Sequence, residues 1–175
     1  VYAACIGLFV IVGKKKYRNG AVIFVTSVVY FLVVTYFMGK YGLGIMDSRF
    51  TNYMADASKG GLIDVIRNFI TNPAYVVEEC FKPEKLSFMF YMIFPLGFLP
   101  LASKKVSGLI LFIPVILENL ASNYKYQYSI NFQYVFGTVA ILTYLAIVNY
   151  SELAEKTRRF MAGFAICMGC LLYTS

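Results

Sequence analysis

Two short constellations in this chain hold the residue types that chemistry needs. The first is Asp47, Arg49, Tyr53 and Asp56, just beyond an uncharged apolar stretch. A carboxylate at that level can act as a base or hold a metal, and an arginine can grip a phosphate. The alternative is a set of ordinary solvated loop charges. The second is Glu118-Asn119, which ends the apolar run Val106 to Leu117. An ionisable residue in or at the edge of a bilayer is costly and marks a functional site by default. With Asn119 it suits a sugar hydroxyl or the orienting of a partner; an interfacial carboxylate among lipid headgroups is the competing reading. Tyr124, Tyr126, Tyr128 and Tyr134 cluster near the same interface, as an aromatic belt or as a sugar-stacking platform. Lys125 beside them either reaches a lipid phosphate or snorkels.

Other chemistries find little support. The chain has no His, the commonest general base and metal ligand. Cys5 and Cys80 stand apart, and Cys167-Met-Gly-Cys170 lies inside an apolar run, where a redox or metal pair would lack access. No P-loop, G-x-G-x-x-G or G-x-S-x-G occurs. A divalent metal is compatible with the acidic residues, but no ligand pattern specifies one.

The elements that must position these groups are apolar. Of 175 residues 59% are hydrophobic and only 14% charged, and the mean hydropathy is +0.67. Soluble domains carry about 25% charged residues, so this chain has too little polar surface to coat a soluble globule. About six apolar segments follow one another: 1–13, 21–39, 84–101, 106–121, 132–149 and one from 160 onward. Nineteen uncharged residues at 1.5 Å each reach about 28 Å, close to a hydrocarbon core of roughly 30 Å. Segment 21–39 is rich in β-branched residues, yet in lipid a backbone must satisfy its own hydrogen bonds, so helix is expected. Pro95, Gly97 and Pro100 should bend the far end of 84–101. The expected fold is an all-α, polytopic transmembrane bundle forming a single membrane domain over 1–175. Residues 1–13 precede their basic residues, unlike a secretory signal. The chain therefore reads as a fragment whose first and last membrane segments are truncated.

Between 40 and 83 the character changes. Lys40 to Lys85 holds six of the nine acidic residues. Leu62, Ile63, Val65, Ile66, Phe69 and Ile70 give one apolar face, with Asp64, Arg67, Asn68 and Thr71 opposite. Asn72-Pro73 reads as an N-cap and N1 proline opening a second short helix to about Phe81. Such helices lie flat at a membrane face. The net charge of +7 comes mostly from short loops: Lys14, Lys15, Lys16 and Arg18; Lys104 and Lys105; Lys156, Arg158 and Arg159. Lysine and arginine concentrated in alternate short loops set those loops in the cytoplasm, which puts 40–83 and 122–131 outside. This positioning, rather than a basic groove, argues against nucleic acid and for membrane lipids as the partner.

From Arg49 to Tyr134 the chain resembles a bacterial and archaeal family of polytopic membrane proteins, DUF2079, a domain of unknown function. The resemblance is carried in order by Asn72-Pro73, Phe81-Lys82-Pro83-Glu84-Lys85-Leu86, Phe94-Pro95-Leu96-Gly97-Phe98-Leu99-Pro100-Leu101, Ile113-Pro114, Glu118-Asn119-Leu120-Ala121-Ser122 and Ile130-Asn131-Phe132-Gln133-Tyr134. The family in turn is similar to membrane-embedded, C-type glycosyltransferases. That resemblance implies a multi-pass protein of the plasma membrane that moves a sugar from a polyprenyl-phosphate donor at the outer face. It places the catalytic acid in the first outside loop, ahead of Val1, so the fragment is expected to be inactive alone. Family members often carry His-Tyr where this chain has Gln133-Tyr134; Gln can hydrogen-bond but takes no proton near neutral pH. Displacement at the anomeric carbon would need carboxylates to stabilise ring charge and a cation, Arg49 or Lys125, for the phosphate. A transporter or flippase component and a non-catalytic membrane scaffold are the alternatives.

Overall fold

The computed structural model describes residues 1–41, 49–54, 61–103 and 105–174. Asp47, Asp56, Lys59 and Lys104 lie outside the described residues. Among the described residues eight α-helices follow in order: α1 (Tyr2–Lys14), α2 (Tyr17–Lys40), α3 (Leu62–Thr71), α4 (Pro73–Cys80), α5 (Pro83–Ile93), α6 (Val106–Ile110), α7 (Phe136–Ser151) and α8 (Glu155–Thr174). A π-helix, Val115–Leu120, and short 3₁₀ turns join them. No strand occurs among the described residues.

Helices α1 and α2 form a hairpin whose turn is set by Lys15 in the left-handed region, φ 53°. Glycines let their backbones touch. A Cβ on Gly7 would lie 2.7 Å from the Phe24 nitrogen, and one on Gly20 2.8 Å from the Gly7 carbonyl. Close approach through small residues is how helices associate in lipid, where burial of apolar surface offers no gain. Beyond this crossing α2 is bare. Val22, Val25, Val29, Tyr30, Leu32, Val33, Tyr36 and Phe37 are all exposed. So much contiguous apolar surface suits hydrocarbon and not water.

Among the described residues two stretches are long and apolar enough to cross a membrane, Tyr17–Lys40 and Gln133–Ser151; Tyr2–Lys14 and Val106–Leu120 are shorter apolar helices. The six continuous spans expected from hydropathy therefore do not all appear as unbroken rods. Segment 84–101 stops being α-helical at Ile93 and continues as 3₁₀ turns, Phe94–Leu96 and Leu99–Ala102. Gly97 (φ 61°) and Phe98 (φ 57°) reverse the backbone between them. Pro95 and Pro100 each lack an N–H and clash with a continuing helix, which accounts for the break. Segment 106–121 is likewise divided by Pro114 into α6 and the π-helix.

Helix α7 is the centre of the packing. Ile141 and Leu145 meet Leu111, with Tyr2, Phe9 and Phe112 around them. Asn149 donates from Nδ2 to the Leu99 carbonyl at 2.7 Å, satisfying a group that the proline-broken turn leaves without a helical partner. Helix α8 reaches the same turn through Phe164, edge-on to Phe94 at 5.8 Å. A second core gathers Tyr53, Val65, Cys80 and Ala121, and it seats α3 and α4 against the π-helix. At the α3–α4 joint, the Asn72 backbone closes α3 by donating to Asn68 at 2.8 Å and opens α4 by accepting from Val76 at 3.3 Å. Its side chain makes no capping bond, so the N-cap expected from Asn72-Pro73 is a backbone junction.

Candidate functional site

The site begins with three residues of backbone. The Arg49 carbonyl accepts from the Asn123 nitrogen at 2.9 Å and from Ser122 Oγ at 3.1 Å. Asn123 Nδ2 donates in turn to Thr51 Oγ1. These bonds join residues 49–53 to 122–124, which are remote in sequence. They bring the Arg49 guanidinium over two aromatic rings, 5.4 Å from the Tyr124 centroid and 5.2 Å from that of Tyr134. The rings stand edge to face at 5.8 Å. Among the described residues this arginine pairs with no carboxylate and is oriented by attraction of its charge to the ring faces. Its Nε is buried and has no hydrogen-bond partner among the described residues.

The π-helix supplies the second half. Its wider turn, closed by Ala121 N–H to the Ile116 carbonyl at 2.8 Å, turns Val115 and Asn119 into the core and leaves Leu117 and Glu118 on the other side. Glu118 and Arg49 line one groove of about 550 Å³. Its walls are apolar: Phe31 of α2, Phe50, Leu117, and Val65, Ile66 and Phe69 of α3. Ile66 and Ile70 of α3 are largely exposed, so the amphipathic face read from sequence is divided. Val65 enters the core and also borders the groove with Ile66, Phe69 and Ile70, while Ile63 stands exposed outside it. Arg49, Glu118, Gln127 and Tyr2 bring polar groups to this lining. No ion pair joins Arg49 to Glu118 among the described residues. A cation and a carboxylate in the lining of an apolar trough can hold an anionic head on an apolar chain.

The other candidate residues lie elsewhere. Asn119 is fully buried and accepts from Thr138 Oγ1, and its Nδ2 donates to the Gln127 carbonyl. Thr138, having given its proton to Asn119, accepts from the Tyr2 hydroxyl at 2.9 Å. This chain of buried bonds makes Asn119 a strut between α1, α7 and the 125–128 turn. Tyr53 is also core, its ring 4.9 Å from Phe69. Burial pushes its phenol well above the usual range, so it stays protonated. Gln133 and Lys125 are exposed and do not line the groove. Asp47 lies outside the described residues. Among those residues no three His, Cys, Asp or Glu side chains gather as a metal would require.

A polar cluster beside the groove carried no sequence signal. Lys85, at the start of α5, is almost wholly buried; its Nζ donates to the Leu120 carbonyl and sits 5.5 Å from the Tyr128 ring centroid. Glu79, also buried, accepts from Asn52 Nδ2 at 2.8 Å and pairs with Lys82 at 2.5 Å. Burial works against the charged form of Glu79, but the bonds from Lys82 and Asn52 outweigh it and hold its carboxyl below the usual range. A lysine in a Lys-Pro-Glu-Lys run reads as a loop charge, and only the packed structure shows which of the two lysines is enclosed.

No curated protein and no solved structure matches the chain. Residues 1–174 match the family described as predicted membrane protein (DUF2079). That match joins the bare, apolar α2 and the half-buried α7 to a common origin, and the chain belongs to this family of membrane proteins.

Proposed function

We propose that the chain is part of a membrane-embedded, glycosyltransferase-like protein that holds a polyprenyl-phosphate sugar donor at the outer face of a bacterial or archaeal plasma membrane. The observation that carries this reading is the apolar groove of about 550 Å³ headed by Arg49 and Glu118. An isoprenoid chain lies along Phe31, Phe50 and the exposed face of α3, and the phosphate meets the Arg49 guanidinium. A guanidinium forks well onto phosphate oxygens. Glu118 then lies beside the sugar, where a carboxylate stabilises positive charge on the ring. An acceptor hydroxyl bonds to the anomeric carbon as the bond from that carbon to the phosphate oxygen breaks. The carrier phosphate leaves with the electron pair toward Arg49. The hydroxyl proton passes to a carboxylate base, which the likeness to C-type enzymes puts in the first outside loop. Basic short loops and a sparser 40–83 segment support the sidedness.

The test is binding, which needs no turnover. The chain in lipid nanodiscs should bind a fluorescent polyprenyl phosphate, and Arg49→Gln should weaken binding about tenfold or more, the scale of a charge-assisted hydrogen bond. Undiminished binding by Arg49→Gln, or no binding by the parent chain, overturns the reading.

A further inference from the structure

Gln127 is the one side-chain amide among the described residues that line the groove, and its backbone is held on both sides. Its backbone nitrogen donates to the Tyr124 carbonyl at 2.9 Å. Its own carbonyl accepts from Asn119, which Thr138 and Tyr2 hold in turn. The residue is only 2% exposed, yet its side-chain Oε1 has no hydrogen-bond partner among the described residues. Leaving a buried amide oxygen unpaired costs about 1–3 kcal/mol. Buried polar groups are rarely left so without a reason. In the same lining the Nε of Arg49 is also buried and unpaired. An apolar chain alone would leave both groups unsatisfied, and a bare phosphate would answer only the arginine.

We infer that Gln127 is a specificity residue that reads a hydroxyl of the head group, so that the groove prefers a hydroxylated, sugar-bearing lipid phosphate to the bare carrier phosphate. A hydroxyl suits this amide because it both donates and accepts. Discrimination of this kind arises because a ligand lacking the hydroxyl leaves the amide unpaired in an apolar site. The inference rests on the groove being the site of the lipid phosphate.

The experiment compares two ligands, polyprenyl phosphate and polyprenyl-phosphate hexose, on the full chain in nanodiscs. The parent should bind the hexose form about tenfold more tightly, and Gln127→Met, similar in size but apolar, should bind the two about equally. Affinity for the bare phosphate should change less than about twofold, which separates a lost contact from a collapsed groove. Binding of neither ligand by the parent removes the groove reading itself. A parent that binds both ligands equally, or a Gln127→Met variant that keeps the preference, overturns the role of Gln127 and leaves the groove standing. Where Gln127→Met fails to fold, Gln127→Ala, which also removes the amide, carries the same comparison.

Discussion

Glu79 shows how a single side chain can carry a measurable signature without touching the groove. It is buried, paired with Lys82 and bonded by Asn52, and its carboxyl is held below the usual range. A folded-state value below the unfolded one gives stability that is present above the ordinary glutamate range, about 4.3, and is lost as pH falls through the folded value. Melting of the parent chain in detergent from pH 7 to pH 3 should therefore show an acid-side loss that Glu79→Gln lacks. The stability gap between the two should close as the pH falls. A gap that stays constant over that range would mean the carboxyl is not held down by its partners. At this scale the sequence was partly legible. Arg49, Glu118 and Tyr134 stand out by type and do meet around one site, because charge in an apolar context has few reasons to exist. Asn119 sits next to Glu118 but is wholly buried, held by Thr138 and Gln127, while Glu118 lines the groove. Gln127 carried no signal: it is uncharged, sits in a tyrosine-rich loop, and its burial depends on contacts with residues far away in the chain.

The helices themselves were readable where hydrophobic length and proline positions decide them. Pro73 and Pro83 open α4 and α5, and Pro95 and Pro100 end what hydropathy alone would extend. The α1–α2 crossing was not readable, because Gly7 and Gly20 look like any glycine until a second backbone is placed against them. That contact yields a sharp contrast. Gly7→Leu must push apart two backbones, at a cost of about 1–3 kcal/mol or more, typical of overpacking. Gly163→Leu enters open space, with nothing within 4 Å of the added Cβ. It should change stability by less than about 0.5 kcal/mol. Thermal melts of both variants in the same detergent check this; equal effects would show that α1 and α2 are not packed glycine to backbone.

At the scale of the whole molecule, membrane residence follows from two independent facts: family membership, and an α2 of 24 residues whose apolar side chains are mostly bare. The number of crossings does not follow from helix length, because segments interrupted by proline can still traverse a bilayer when their freed backbone groups find partners inside the protein. The Asn149 bond to the Leu99 carbonyl is one such partner. The sidedness proposed above rests on the loops and is open to a labelling test. Basic residues crowd 14–20 and 150–159, while α3 and α4 lie in the 40–83 segment. A cysteine at exposed Glu78, on α4, should react with a membrane-impermeant maleimide in intact cells. A cysteine at exposed Thr157, early in α8, should react only after the membrane is opened. Both belong in a background where Cys5, Cys80, Cys167 and Cys170 are replaced, since Cys167 and Cys170 are exposed. Labelling of both from outside would require an uneven number of crossings between α4 and α8 to become even. Labelling of Thr157→Cys alone would invert the protein and place the Arg49–Glu118 groove at the cytoplasmic face, away from any donor presented outside.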